Sequence, residues 1–260
     1  MNLAIIISAL GKNLYKIENW ISSEILNAVN EIIIVVQKSE NFEAEIKKLK
    51  NIGCKVFIDN QLGLSRSRNI GIKNCESDFF WILDDDIYTS LDMVESILDE
   101  IKSNKADIYT FRIARNKERN IMYKKYSNNS KVSKLRLLKT SSIELIISKK
   151  IINKYNIFFN ESFGLGSEYP MCEENLFLLD YYQKNIKIIH VPKVIVIHED
   201  MGSGYASINN NSLIAKGYIC QKFGFIGLLL IFRWYFRILI KYQKFSSIKY
   251  FLKGYLIKNI

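Results

Sequence analysis

The first half of the chain alternates short apolar runs with segments in which apolar residues recur at helical spacing. Largely apolar runs at residues 3–8, 32–36, 55–58 and 79–83 predict four strands. Between them, apolar residues three or four positions apart predict helices, the first of which spans residues 14–25. Strands that alternate with helices are typical of βαβ units. The pattern therefore predicts an α/β fold, with a mainly parallel mixed sheet flanked by helices.

The second half of the chain departs from this regular alternation. Residues 108–113, 143–147 and 186–197 predict further strands, and a helix is predicted from about Glu173 to Gln183. The polar, basic segment 116–134 predicts a loop or hairpin, an element that often covers a binding site.

Composition divides the chain into a domain and a tail. There is no internal repeat and no Gly- or Ser-rich linker, so we expect one α/β domain over residues 1–205 and a helical tail over residues 206–260. The net charge of +11 is concentrated in the tail, which has nine Lys and Arg residues after Asp200 and no acidic residue. Its longest uncharged apolar stretch, residues 223–232, is too short to span a bilayer, which takes about 20 residues. A basic, aromatic and amphipathic tail is typical of helices on an anionic membrane surface. Packing on the domain and a dimer contact are the alternatives.

The cysteines and the amino terminus favour the cell interior. The four cysteines are widely spaced and form no CxxC pair, so neither a disulfide framework nor a zinc site is expected. The chain begins almost directly with an apolar strand and lacks a basic region followed by a cleavage site. We therefore expect a protein that stays inside the cell.

Three adjacent carboxylates, Asp84, Asp85 and Asp86, directly follow the fourth apolar strand. Open α/β sheets bind ligands just outside the carboxyl ends of their strands. Adjacent carboxylates repel one another, and a divalent cation or ribose hydroxyls would offset that repulsion. The alternative is an acidic turn that stabilises the next helix. An EF-hand loop and a DxDx(T/V) phosphatase motif are both disfavoured, because Tyr88 and Thr89 stand where those motifs need other residues.

A glycine and two arginines lie one strand earlier, in the segment DNQLGLSRSRNIGI at residues 59–72. Gly63 permits a close approach of backbone to ligand, and Ser65 is the predicted N-cap of a helix whose first turn carries Arg66 and Arg68. This pattern indicates phosphate or nucleotide binding, with a solvated basic turn as the alternative.

Two later features complete the candidate chemistry. Gly164 and Gly166 form a flexible loop before Glu173 and Glu174, which open a helix. A carboxylate there could be the general base that takes a proton from a hydroxyl, or it could simply stabilise the helix start. His198 ends a later apolar strand and could ligate a metal or contact a phosphate, although a structural histidine is the alternative.

Taken in this order, GLSRSRN, DDD after a strand, EEN opening a helix and a strand ending in His, the sequence resembles the inverting glycosyltransferases of family 2 over about residues 1–200. The resemblance implies a GT-A fold. It implies that Asp84 contacts the ribose or uracil, that Asp86 binds a divalent metal, Mn²⁺ or Mg²⁺, and that Arg68 lies near the base and phosphates. Glu174 takes the place of the family's catalytic aspartate. Residues and resemblance together give these candidates: Glu174 and Glu173 for catalysis; Gln37, Asp59, Arg66, Arg68, Asp84 and Asp85 for the nucleotide; Asp86 and His198 for the metal.

The sequence departs from the family at two places. SALGKN, at residues 8–13, replaces the usual turn after the first strand, and Gln37 stands near the position of an aspartate that binds the base. A glutamine amide both donates and accepts hydrogen bonds, so it can still meet a uracil edge. A UDP-sugar donor is therefore an expectation from the family.

The resemblance to family 2 implies a metal-dependent glycosyltransferase that moves a sugar from a nucleotide-diphosphate donor to a hydroxyl of a lipid-linked or surface glycan. Inversion at the sugar is implied by the resemblance alone. The tail predicts a peripheral position on the cytoplasmic face of a bacterial inner membrane, and a homodimer is left open. The alternatives are a non-catalytic module that binds sugar nucleotides and a nucleotidyltransferase that makes them. Nucleic-acid binding is disfavoured, because the basic charge lies on an apolar tail.

Overall fold

The computed structural model describes residues 1–199, 209–243 and 245–258. Within these ranges, seven strands form one sheet in the order β3-β2-β1-β4-β6-β5-β7. The strands are β1 Leu3–Leu10, β2 Glu31–Gln37, β3 Lys55–Asp59, β4 Phe79–Asp84, β5 Ile108–Ala114, β6 Leu145–Ser148 and β7 Ile188–Ile197. Only β6 runs antiparallel to its neighbours in the pairings described, so the predicted mainly parallel mixed sheet is confirmed.

Helices connect the strands and cover both faces of the sheet. They are α1 Leu14–Glu18, α2 Ser23–Ala28, α3 Glu43–Asn51, α4 Leu64–Lys73, α5 Leu91–Ser103, α6 Lys134–Leu137, α7 Lys149–Tyr155, α8 Glu173–Tyr182, α9 Asn210–Gln221, α10 Phe225–Tyr242 and α11 Ser247–Leu256. Short 3₁₀ turns occupy Gly11–Asn13 and Ser142–Glu144.

Two core layers lie on opposite faces of the sheet, and β1 contributes to both. Ile5 and Ile7 belong to the layer beneath α1, α2 and α5, whereas Ala4 and Ile6 belong to the layer beneath α4, α7, α8 and α9. Because both faces are buried, the central strands read as continuous apolar runs instead of alternating ones.

Two predicted details of the first half are wrong. The single helix predicted over residues 14–25 is two short helices, because the Ser22 side chain accepts a hydrogen bond from the Ile25 amide and starts α2 afresh. Ser65 is not the N-cap of α4. That position belongs to Gly63, at φ +150°, and the Ser65 hydroxyl instead donates to the Phe163 carbonyl at 2.6 Å. A glycine suits this position because an L side chain rarely adopts such a φ.

The described part of the tail holds three helices. Helix α9 packs Ile214 and Ile219 into the core layer beneath the sheet, and α10 and α11 pack on α9. Helices α9 and α11 approach so closely that a Cβ on Gly217 would lie 2.0 Å from the Phe251 carbonyl oxygen. The predicted boundary at residues 205 and 206 lies outside the described residues. Along the described ranges, no helix combines the length and the apolar character that crossing a bilayer requires.

Candidate active site at the carboxyl edge of the sheet

Strand register brings the candidate residues to one edge of the sheet. Gln37, Asp59 and Asp84 are the last residues of β2, β3 and β4, and the parallel pairings set Gln37 beside Asp59 and Asp84 beside Ser8 of β1. At the far side of the sheet, His198 directly follows β7, and its amide donates to the carbonyl of Ala114 at the end of β5. Parallel strands therefore deliver these polar side chains to the edge where open α/β sheets bind ligands.

Arg68 is the centre of the site. Its side chain is only 1% exposed, and it donates from Nη1 to Glu173 Oε1 at 2.9 Å and from Nη2 to Asp84 Oδ1 at 3.0 Å. Nη2 also donates to the Ser142 hydroxyl at 2.8 Å, and the guanidinium carbon lies 5.5 Å from the centre of the Phe159 ring. Burying a guanidinium is costly unless it is paired, and two carboxylates neutralise this one. Arg68 thereby joins three motifs that are far apart in the chain.

Burial and crowding perturb the carboxyl groups around Arg68. Burial raises the pKa of Asp84, against the opposing effect of Arg68, and the nearby charge of Asp86 raises it further. Burial likewise raises the pKa of Glu174, with the adjacent Glu173 acting in the same direction and Arg68 opposing. Perturbed carboxyl groups that converge at the edge of a sheet are typical of a functional site.

Asp85 faces away from its two neighbours in the triplet. Its Oδ2 accepts from the Leu10 amide at 2.8 Å, and both oxygens accept from Asn13 Nδ2 at 3.0 and 3.1 Å. Burial raises the pKa of Asp85 against these hydrogen bonds, which favour the charged form. Asp85 thus holds the loop after β1, the segment that departs from the family pattern.

Asp86 and His198 form a pair at the edge of the site. His198 Nε2 lies 3.5 Å from Asp86 Oδ1, and the Asp86 side chain is 40% exposed. The hydrogen bond with His198 lowers the pKa of Asp86, although burial opposes the shift. The imidazole also meets Tyr123 edge-on, with ring centres 5.5 Å apart. Tyr123 comes from the predicted loop, which turns back as a hairpin through the bridge between Ala114 and Met122.

The donor chemistry of this pair fits a divalent cation. Within the part of the chain that the structure describes, no three His, Cys, Asp or Glu side chains converge as a cage for a cation. Mg²⁺, however, is commonly held by one or two carboxylates together with substrate phosphates. The exposed carboxylate of Asp86 matches that arrangement, and His198 adds a nitrogen ligand of the kind that transition metals accept. The positive charge of a bound cation would offset the repulsion between Asp84 and Asp86.

Gln37 and Asp59 form hydrogen bonds with the loop after β3. The Gln37 amide nitrogen donates to Asp59 Oδ2 at 3.1 Å and to the carbonyls of Gln61 and Gly63 at 2.6 and 3.2 Å, and its oxygen accepts from the Gly63 amide at 3.3 Å. Asp59 also accepts from Arg66 Nε at 3.0 Å, and both Gln37 and Asp59 are buried. These side chains therefore shape the loop from within the protein.

The glycine loop before α8 lies over the start of α4. A Cβ on Gly164, at φ +102°, would lie 3.0 Å from Ser65 Oγ and 3.2 Å from the Glu173 carboxyl carbon. The Leu64 amide at the start of α4 donates to the Leu165 carbonyl at 2.9 Å. The start of α4, which the sequence suggested as an anion-binding site, is therefore contacted by the glycine loop of the protein itself.

Sequence reasoning missed several residues near the edge. A cavity of about 280 Å³ beside the ends of β1 and β2 is lined by Leu10, Lys12, Lys38, Glu40, Asn41 and Phe42. Lysines just after two strand ends were the available signal for this cavity. Ser142 lies in a capping box between Ser141 and Glu144, a spacing that the sequence SSIE displays. Tyr123 and Phe159 carried no comparable signal.

Comparisons with known proteins agree with this geometry. The model for glycosyl transferase family 2 matches residues 17–164, more than half of the chain. None of the curated proteins matches the chain.

Solved structures share the fold. S. aureus TarS residues 1–349 align at 17% identity with a TM-score of 0.63, covering 85% of this chain and 65% of that one. The complex of the same protein with UDP-GlcNAc aligns at 18% identity with a TM-score of 0.64, covering 85% of this chain and 66% of that one. Glucosyl-3-phosphoglycerate synthase from Mycobacterium tuberculosis, in complex with Mg²⁺ and UDP, aligns at 13% identity with a TM-score of 0.52. The alignment covers 77% of this chain and 72% of that one. The chain thus spans less than two thirds of the TarS chain, and at these identities the likeness concerns the fold alone. With its mixed sheet, its carboxylate-rich edge and its family match, the chain belongs to glycosyl transferase family 2 and has the GT-A fold.

Proposed function

We propose that this protein transfers a sugar, with inversion, from a nucleoside diphosphate donor to a hydroxyl group. The observation that carries the proposal is the contact of Arg68 with both Asp84 and Glu173. This contact ties the carboxylate turn after β4 to the start of α8, and thereby supports a common site for Asp86 and Glu174.

Glu174 is the proposed general base. A raised pKa brings a carboxylate closer to the range in which it takes a proton efficiently at neutral pH. Glu173 accepts a hydrogen bond from the buried Arg68, so we assign Arg68 and Glu173 the role of positioning the first turn of α8. Glu174 would then take the proton of the attacking hydroxyl as that oxygen bonds to the sugar.

Asp86 and His198 are the residues that would hold a divalent cation, Mn²⁺ or Mg²⁺, together with oxygens of the donor diphosphate. Such a cation supplies positive charge against the negative charge that develops on the departing diphosphate. Asp84, one third exposed, would meet the ribose hydroxyls.

A UDP-sugar is the proposed donor. Support comes from the fold neighbours, since TarS was solved with UDP-GlcNAc and glucosyl-3-phosphoglycerate synthase with UDP. Because Gln37 is committed to the loop after β3, we place the base over the segment from Lys38 to Phe42, beside the cavity there. Gln37, Asp59, Arg66 and Asp85 would then support the nucleotide site through the loops that they hold.

The proposed acceptor is a hydroxyl of a lipid-linked or surface glycan, reached from the cytoplasmic face of a bacterial inner membrane. The basic, aromatic tail supports this placement, because a soluble acceptor would not need such a surface. We assign catalysis to residues 1–205 and membrane contact to residues 206–260.

Nucleotide release from a panel of UDP-, GDP-, CMP- and dTDP-sugars tests the proposal. The assay is run with Mn²⁺, with Mg²⁺ and with chelator, on the wild type and on Asp86→Asn. Asp99→Asn, an exposed aspartate on α5, is the matched control. We expect turnover of one donor that needs metal and Asp86. Failure of every donor under all metal conditions would overturn the proposal.

A further inference from the structure

Helix α10 presents a continuous apolar stripe to solvent. Its members recur every three or four residues and are between 50% and 81% exposed: Phe225, Leu229, Phe232, Phe236 and Ile240. The opposite side of the helix, with Gly227, Ile231 and Ile238, is buried against the other tail helices. Helix α10 therefore has two apolar faces, one packed against the protein and one exposed to solvent, whereas a surface helix ordinarily has a single buried apolar face.

A row of cations runs beside this stripe. Arg233, Arg237 and Lys241 are exposed and lie four residues apart, each one position after an exposed apolar residue. Successive helix residues are offset by about 100°, so the cations flank the stripe along its carboxyl-terminal half. No acidic residue follows Asp200 in the sequence, so the tail itself offers no carboxylate to this row.

The positive charge beside the exposed face of α10 distinguishes between two possible partners, a second copy of the chain and a lipid surface. A symmetric dimer through α10 would bring the same cationic face of two chains together, and neither tail has a carboxylate to compensate the charge. An anionic lipid surface has the opposite polarity, because apolar side chains enter the boundary between headgroups and acyl chains while Arg and Lys meet phosphates. We propose that the exposed face of α10 docks the protein on an anionic lipid surface.

The direction of α10 relates this face to the site. Gly227 of α10 contacts Cys220 near the end of α9, whereas Trp234 lies 5.9 Å from the ammonium of Lys216, one turn earlier in α9. The two helices are thus antiparallel, and the carboxyl-terminal half of α10 runs toward the start of α9. That start is fastened to the loop before α8 by the hydrogen bond from Asn211 to the Glu168 carbonyl at 3.0 Å.

The cationic half of the face therefore lies on the side of the molecule that carries Glu174. Given the proposed function, on which this step rests, docking through α10 would hold a lipid-carried acceptor near the base. The docking itself needs neither donor nor catalysis.

Flotation with vesicles tests the docking. One set contains phosphatidylglycerol in phosphatidylcholine and the other phosphatidylcholine alone. The test variants are Phe232→Ser/Phe236→Ser/Ile240→Ser and Arg233→Gln/Arg237→Gln/Lys241→Gln. Matched controls carry three exchanges of the same kind at exposed positions elsewhere: Ile52→Ser/Ile58→Ser/Leu135→Ser and Lys47→Gln/Lys50→Gln/Lys105→Gln. Thermal melting verifies that each variant is folded.

We expect wild type and controls to bind the anionic vesicles, and both test variants to bind at least about tenfold more weakly. Binding should also weaken as salt rises, because salt screens exposed charges. Equal binding by all proteins, or no binding by wild type, would overturn the proposal. The proposal would also be overturned if sedimentation velocity showed that wild type is a dimer and the Ser variant a monomer, while wild type does not bind vesicles.

Donor hydrolysis without vesicles separates this proposal from the proposed function. Test variants that hydrolyse donor normally but ignore vesicles show a docking face outside the catalytic machinery. Vesicle binding by a wild type that turns over no donor would leave the docking intact and remove the proposed function.

Discussion

Arg68 and Glu173 form a buried ion pair at 2.9 Å although 105 positions separate them in the chain. The same guanidinium reaches Asp84 at 3.0 Å, so one side chain fixes the position of two carboxylate motifs relative to each other. Neither carboxylate can move far without leaving a buried positive charge poorly compensated.

Replacing this arginine should destabilise the protein strongly. In Arg68→Met, two carboxylates lose their buried partner, and we expect the free energy of unfolding to fall by about 3 kcal/mol or more. Urea unfolding measures this change. The control is Arg119→Met, whose partially exposed pair with Asp92 should contribute about 1 kcal/mol or less. Equal losses in the two variants would contradict the account of Arg68 as the centre of the site.

The pH profile should report the environment of Glu174. A base must be ionised, so kcat/KM should fall as pH decreases through the pKa of Glu174, which burial and Glu173 raise above the ordinary value of 4.5. In Glu173→Gln the neighbouring negative charge disappears, while the amide oxygen can still accept from Arg68. The acid limb of the profile should then move to lower pH. An unmoved limb would mean that another group controls it.

Gly164 should be intolerant of a side chain for two separable reasons. Gly164→Ala places a methyl group at a positive φ and 3.0 Å from Ser65 Oγ, beside the Glu173 carboxyl. Gly53→Ala is the matched control, because Gly53 has φ +103° and no atom within 4 Å of an added Cβ. Both variants should lose about 1 kcal/mol of stability from backbone strain.

Turnover separates these two glycine variants. Only Gly164→Ala should crowd the start of α8, where its neighbours must move by a few tenths of an ångström. Turnover of Gly164→Ala should therefore fall below that of Gly53→Ala, because the rate is sensitive to the position of a reacting group. Steady-state rates of the two proteins test this. Comparable turnover in both would show that crowding beside Glu173 has no catalytic consequence.

Metal dependence should act through Asp86 and His198. In Asp86→Asn the amide is a poorer ligand than a carboxylate, so the Mn²⁺ concentration that gives half-maximal turnover should rise by about tenfold or more. Titration of Mn²⁺ into chelator-treated enzyme measures the shift, with Asp99→Asn as control. A half-maximal concentration equal to that of wild type would exclude Asp86 as a ligand.

The strands and their order of appearance could be predicted from the sequence because burial of both sheet faces leaves an unmistakable apolar run. β1 and β4 were predicted within two residues at each end. The edge at which ligands would bind followed from the parallel connections, and Asp84, Asp86, Glu174 and His198 all lie at that edge or beside it.

The partners of each polar residue could not be predicted in the same way. Periodicity tells which residues are buried, but not which of three adjacent carboxylates turns inward, and Asp85 does so to hold Leu10 and Asn13. Gln37 was expected to face a base, yet its amide holds the loop after β3. Ser65 looked like a cap because the loop that meets its hydroxyl comes about a hundred residues later.

In the proposed function, Glu174 performs chemistry on a donor that other residues bind. Glu174→Gln should retain the donor affinity of wild type by calorimetry, while turnover falls by about 10²- to 10⁴-fold because the base is lost. Glu95→Gln, an exposed glutamate on α5, should leave both quantities unchanged. The decisive measurement is binding and turnover of the same nucleotide sugar by Glu174→Gln. Retained binding without turnover is the predicted result, and full turnover by the variant would show that Glu174 is not the base.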